Sequence, residues 1–117
     1  MKPFIVTSGT AITKVVEKIG ASTEQTTFPV IDPQNREYLG YIQRDDLKRY
    51  TDVSTCGEVL ARVDPNHISK SIHADPGESG GELLKRSLRH KLDVLAVVDR
   101  EGKYTGVLDV NELVQLF

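Results

Sequence analysis

At 117 residues the chain is long enough for one compact domain, or for two small lobes sharing a core, and too short for two independent domains. A hydrophobic fraction of 38%, 27% charged residues and a net charge of -2 are those of a soluble globular protein and give no general pull toward nucleic acid or an anionic membrane. The single cysteine, Cys56, excludes an internal disulfide, and with no His, Asp or Asn pattern marking an activating base it reads as a buried small hydrophobe. No leader of basic then apolar residues opens the chain, and no run approaches the ~18 to 20 apolar residues needed for direct membrane insertion.

In chain order, "PFIVTSG" is a short apolar strand closed by Ser8 and Gly9. Ile12, Val15, Val16 and Ile19 then fall three or four apart, the stripe of an amphipathic helix, with Gly20 as its stop. "TTFPVID" is a buried strand, "PQNRE" a polar turn and "YLGYI" a second strand. Asp45, Asp46, Leu47 and Tyr50 start a helix with acidic residues in its first turn, where the dipole favours them. "STCGEVLARV" is a short helix with Thr55 as N-cap. The programme then repeats. "SIHADPGES" is strand and turn, Leu83, Leu84 and Leu88 mark a helix, "DVLAVVD" is a buried strand, "REGK" a turn, "YTGVL" a strand and "VNELVQLF" a closing helix.

The repetition is one of sequence as well as of pattern. "EYLGYIQRDDL" and "KYTGVLDVNEL" share a Tyr, a Gly two residues on, two apolar residues and an acidic residue before Leu. Asp32 and Asp99 lie 67 apart and Gly40 and Gly106 lie 66 apart, so one turn residue is missing from the second copy. Each half, at about 50 to 60 residues, buries too little alone, and two halves packed about a pseudo-twofold axis leave two related clefts between them. The first half has no counterpart of the helix in "STCGEVLARV" except Met1 itself, which points to a module excised from a longer chain.

These residues resemble the cystathionine β-synthase (CBS) domain, whose tandem pair is often called a Bateman module. The family's apolar "PVVD"-like strand and its Gly-apolar-apolar-Thr/Ser-x-x-Asp-Leu segment stand here as "FPVID" with "GYIQRDDL" and as "LAVVD" with "GVLDVNEL". The resemblance covers the chain from Met1 to Phe117. It implies an α/β (α+β) fold of two β-α-β-β-α repeats in a pseudo-twofold pair, with residues 1–52 as the first repeat and 53–117 as the second. It further implies a regulatory module, not an enzyme, that needs no cofactor, binds AMP, ADP or ATP in the clefts, and pairs into a homodimer. "FPVIDPQNREYLGYIQRDDL" is also similar, more loosely, to the first CBS repeat in the cytoplasmic tails of CLC-type chloride channels and transporters. A membrane transporter or a soluble enzyme is thus the expected host, and the cytoplasm the expected location.

Carried over residue by residue, Gln43 stands at the Thr/Ser position of the first motif and Asp46 at its ribose Asp, with Arg44 beside them as a phosphate donor. Thr7, Phe28, Pro29 and Val30 would line the base pocket. In the second motif Asp109 takes the Thr/Ser position and Glu112 the Asp position. These departures bear on binding. Gln43 is bulkier than Thr, and the Asp109 carboxylate repels a phosphate unless a cation intervenes. The first motif is therefore the expected ligand site, and a module whose binding has decayed to a dimerisation scaffold is the alternative.

Asp109 and Glu112 read as residues stabilising a helix N-terminus ahead of a hydrated divalent ion site. His67, His73 and His90 lack metal-ligand spacing. "KRSLRHK" puts Lys85, Arg86 and Arg89 together, a solvated helix face before an anion patch. "DPGESGGE" lacks the Gly-Lys-Ser/Thr ending of a phosphate loop and reads as a turn.

Overall fold

Each half of the chain builds a small sheet around the apolar run that its sequence marks as buried. The computed structural model describes residues 3–22, 24–50 and 52–116; Met1 and Phe117, the ends of the resemblance, lie outside them. In the first half β1 (Val6–Thr7) runs parallel to β2 (Thr27–Ile31), which pairs antiparallel with β3 (Tyr38–Gln43). Strand β2 is buried at every position, as expected of a strand covered on both faces, whereas β3 alternates between buried and half-buried. Helix α1 (Ile12–Ser22) joins β1 to β2, and α2 (Arg44–Arg49) follows β3. The chain continues through α3 (Cys56–Val63), a 3-10 turn (Ser69–Ser71), α4 (Gly80–His90), the antiparallel pair β4 (Val94–Val98) and β5 (Tyr104–Asp109), and α5 (Val110–Val114). Thr55 and Ser79 cap α3 and α4, their hydroxyls accepting the N–H groups of Glu58 and Glu82.

The duplication read from the sequence is written into the hydrogen bonds. Asp32 N–H reaches Glu37 O and Asp99 N–H reaches Lys103 O, both at 2.9 Å. Arg44 N–H reaches Thr26 O at 2.8 Å, and Val110 N–H reaches Asp93 O at 2.9 Å. Each antiparallel pair carries its irregularity at the same place, between Val30 and Ile31 and between Val97 and Val98. The turn residues Arg36 and Gly102 both have positive φ, 64° and 82°. The halves meet at a reciprocal pair of bonds, Tyr38 N–H to Gly102 O and Tyr104 N–H to Arg36 O, each 2.9 Å. Glu37 and Lys103, themselves counterparts, form the bridge between these bonds, so the pseudo-twofold axis passes between them. Tyr38, Ala96 and Val98 bury a small cluster at this seam, with Tyr104 packed on it.

The halves also depart from each other and from the sequence expectations. The strand expected in "SIHADPGES" is reduced to one residue, Ala74, which bridges Val97 in parallel, with Ala74 N–H on Ala96 O at 2.8 Å and Val98 N–H on Ala74 O at 2.9 Å. The 3-10 turn ends just before it and Pro76, which has no N–H to give a ladder, stands two residues after it. Helix α1 continues two residues past Gly20, because Ile12, Val15 and Ile19 pack on the first core and outweigh the helix cost of one glycine. Leu88, expected on the core stripe of α4, is 66% exposed.

Helix α3 packs on β1 and β3, and its Cys56, Val59 and Leu60 lie in one core with Val6, Phe28, Val30 and Ile42. Among the described residues nothing takes the corresponding place on the second half. Gly40 shows this difference at one position. Its φ is 133°, and a Cβ there would stand 2.3 Å from Ser69 Oγ and 3.4 Å from Leu60 Cδ1, whereas a Cβ on its counterpart Gly106 would meet nothing within 4 Å. Ser69 is pinned in turn by the Asp64 carboxylate, which accepts from the N–H groups of Ile68 and Ser69 and from the Ser69 hydroxyl. Burial works against the Asp64 charge, but these bonds outweigh it and hold the carboxyl below the usual range. Gly40→Ala is expected to cost about 2–4 kcal/mol in urea unfolding, through strain and the Ser69 contact, and Gly106→Ala less than about 0.5 kcal/mol. Equal effects would mean that α3 and Ser69 do not close over β3.

Candidate functional site

Each motif sits where a strand of the central pair runs into a short helix, so its side chains surround the first N–H groups of that helix. In the first motif Gln43 ends β3 and is the N-cap of α2. Its N–H donates to Asp46 Oδ2 at 2.8 Å, the backward half of a capping box, and its Nε2 stands 3.5 Å from Thr27 Oγ1. Arg44 turns inward, its Nη2 donating to Gln25 O at 2.7 Å. Thr7, at the end of β1, has its N–H on Thr10 Oγ1 at 2.9 Å and its hydroxyl 3.0 Å from the same oxygen. Phe28 and Val30 belong to the first core, and Phe28, Pro29 and Val30 are all less than 2% exposed. The structure thus brings Gln43, Arg44 and Asp46 together at one turn, with polar groups engaged within the protein, and places Phe28 and Val30 where they line no open space.

The second motif is more open. Asp109 is the N-cap of α5 and its Oδ1 accepts the Asn111 N–H at 2.9 Å, while Glu112 extends from the first turn into solvent. Both line a cavity of about 390 Å³. Its other wall comes from the segment before β2, through Glu24 and Gln25, and from Asp93 before β4, so the cavity lies between the halves. Four carboxylates line it, those of Glu24, Asp93, Asp109 and Glu112, and no Lys or Arg among the described residues does. Such a lining accepts hydrogen bonds from hydroxyl and amino groups and repels free phosphate. No group of three or more His, Cys, Asp or Glu among the described residues has the arrangement of a metal site.

Gln25 and Asp93, which the motif comparison passes over, build this cavity. Gln25 is 7% exposed, and its amide accepts Phe4 N–H and donates to Phe4 O and Thr27 O at 2.7–3.0 Å, tying the N-terminal segment to β2. Asp93 crosses the seam: its two oxygens accept the N–H groups of Thr26 and Thr27 at 2.8 and 2.9 Å. The signal for Asp93 is an acidic residue immediately before the run "VLAVV", at the position that Thr26 holds in the first half. Cys56 takes no part. It is wholly buried, and burial pushes its thiol up to about 11, so it is a protonated packing group.

Asp93→Ala would leave the Thr27 N–H buried without its acceptor, while the exposed Thr26 N–H turns to water. The expected cost is about 1–3 kcal/mol in urea unfolding. An unchanged midpoint would show that this carboxylate does not hold the halves together.

Residues 63–117 match the CBS domain family model. None of the curated proteins compared with this chain matches it. Among solved structures, the CBS domains of a transcriptional regulator from Streptococcus pneumoniae superpose with a TM-score of 0.76 at 13% identity, over 95% of this chain and 86% of that one. CBSX2 in complex with AMP gives 0.72 at 20% identity, over 96% and 84%. The cytosolic domain of the Mg2+ channel MgtE in complex with ATP gives 0.70 at 16% identity, and there the match covers 97% of this chain but only 45% of the other. No helix among the described residues is long and apolar enough to cross a membrane. The reciprocal seam, the doubled motif and these superpositions agree: residues 63–117 match the CBS domain model, and the chain as a whole has the fold of a CBS domain pair.

Proposed function

We propose that the chain is a regulatory module that senses an adenosine ligand between its two repeats, residues 1–52 and 53–117, and carries no catalytic activity of its own. The observation that carries this reading is the pair Asp109 and Glu112 at the start of α5, lining a 390 Å³ cavity between the halves. A carboxylate there accepts hydrogen bonds from both ribose hydroxyls, and the N-terminal N–H groups of the helix add further donors. Similar folds in complex with AMP and with ATP support the ligand class. Relative to the sequence expectation, the emphasis moves from the first motif to the second, since the groups around Gln43, Arg44 and Asp46 are engaged internally.

The acidic lining also orders the ligands. Adenosine and AMP suit it better than ADP or ATP, whose added charge meets four carboxylates unless a divalent cation travels with the phosphates. The host, a membrane transporter such as a chloride or magnesium channel or a soluble enzyme, would be governed through a shift in population between ligand-free and ligand-bound packings. Such a module would then work on the cytoplasmic side of its host. A second reading has its own support. Asp46 and Arg44 of the first motif each spend a bond inside the protein, on Gln43 N–H and Gln25 O, and Leu88, Val114 and Leu116 are 66%, 47% and 78% exposed, as befits a homodimerisation scaffold that binds no nucleotide.

Thermal unfolding with adenosine, AMP, ADP and ATP separates the two. The sensor reading expects stabilisation of about 2.7 kcal/mol at one hundred times the dissociation constant, strongest for the ligands of least charge and reduced in Glu112→Ala. No shift with any ligand at millimolar concentration, together with a concentration-dependent dimer in sedimentation, would establish the scaffold instead.

A further inference from the structure

A second cavity, of about 370 Å³, lies on the opposite electrostatic footing from the first, between α4 and the 3-10 turn that precedes it. Lys85, Arg86, Arg89 and His90 form its helical wall, spaced so that they share one face of α4. Glu82 is the one carboxylate among its described lining residues, and it stands 3.9 Å from Lys85 Nζ. Arg86 is already committed: two bonds of 2.6 Å join it to both oxygens of Glu78, and its Nη1 donates to His73 O at 2.7 Å. That pairing holds the Glu78 carboxyl below the usual carboxylate range and fixes Arg86 as a rigid strut. The side chains of Arg89 and His90 enter no ion pair or hydrogen bond among the described residues, so the Arg89 charge is not balanced within the protein and the His90 ring is open to a ligand.

A solvated helix face would need no concavity and no apolar neighbour. Here the cations face Ile72, which is 9% exposed, and Ile68, which is 63% exposed at the cavity rim. A cationic wall opposite an apolar one suits a ligand with both characters, and the volume lies in the range of small-molecule sites. From this convergence of two elements we propose that the cleft binds a small organic phosphate, its phosphate on Arg89, Lys85 and His90 and its apolar part on Ile68 and Ile72.

The position gives the site a consequence. The 3-10 turn is bound on its other side to the seam: Tyr38 Oη donates to Ser69 O at 3.3 Å and Ile72 O at 3.0 Å, and Lys70 Nζ meets Glu37 at 2.6 Å. A ligand holding that turn to α4 therefore acts on the contact between the halves, at a place distinct from the acidic cavity.

The test is a titration of the full chain with phenyl phosphate and with inorganic pyrophosphate, followed by amide chemical shifts. Phenyl phosphate is expected to move the amides of Ser69–Ile72 and Lys85–His90, and Arg89→Glu to weaken its binding by about tenfold or more, while Lys48→Glu, the same charge change on exposed α2, leaves it as it was. If pyrophosphate binds as tightly as phenyl phosphate, the apolar half of the proposal is overturned. Absence of shifts at millimolar concentration, shifts confined to the start of α5, or an equal loss in Lys48→Glu would overturn it entirely.

Discussion

Two backbone hydrogen bonds hold the architecture together, Tyr38 N–H to Gly102 O and Tyr104 N–H to Arg36 O, reciprocal across the pseudo-twofold axis. They join two sheets of three and two strands, neither of which encloses enough apolar surface to be stable alone. Around them the seam is dry where it must be. Tyr38 is 2% exposed, and burial raises its hydroxyl far above the usual phenol range, so it stays protonated and donates to the 3-10 turn ahead of α4. On the wet side the Arg36 guanidinium lies 5.3 Å from the Tyr104 ring centre, a cation–π contact between the turn of the first half and the start of β5 in the second. Both cavities take their walls from this meeting: one lies beside Asp93, which clamps Thr26 and Thr27, the other beside the turn that Tyr38 grips.

The repeated elements were legible because duplication doubles every signal. A Tyr-x-Gly strand with an acidic helix start is weak evidence once and strong evidence twice at a spacing of 66 or 67 residues. Thr55 as N-cap was legible for a local reason, since a hydroxyl ahead of an amphipathic run binds an N–H three residues on. Position in the tertiary structure was not. Nothing local in "CGEVLARV" says that Cys56, Val59 and Leu60 close the first core rather than the second. Nor does "SIHADPGES" reveal that turn chemistry on both sides leaves one residue of strand.

The same limit governed the site. The resemblance located Gln43, Asp46, Asp109 and Glu112 at helix starts, because the motif and the helix boundary are one local feature. It could not show that Arg44 spends its guanidinium on Gln25 O, or that Phe28 and Val30 are consumed by the core, since both depend on residues far along the chain. Asp93 and Gln25 belong to the same class, their partners lying 66–67 and 21 residues away. The net charge of -2 was uninformative for a related reason: it averages an acidic cavity at α5 with a basic one at α4.

The central claim is that the two halves form one cooperative unit through a shared seam. Native-state hydrogen exchange of the Tyr38 and Tyr104 amides tests it most directly, because each amide belongs to one half and bonds to the other. The account predicts that both exchange with the same free energy, equal to that of global unfolding and changing in parallel with denaturant. Exchange of Tyr104 at a distinctly lower free energy than Tyr38 would mean that the halves open independently, and would contradict it.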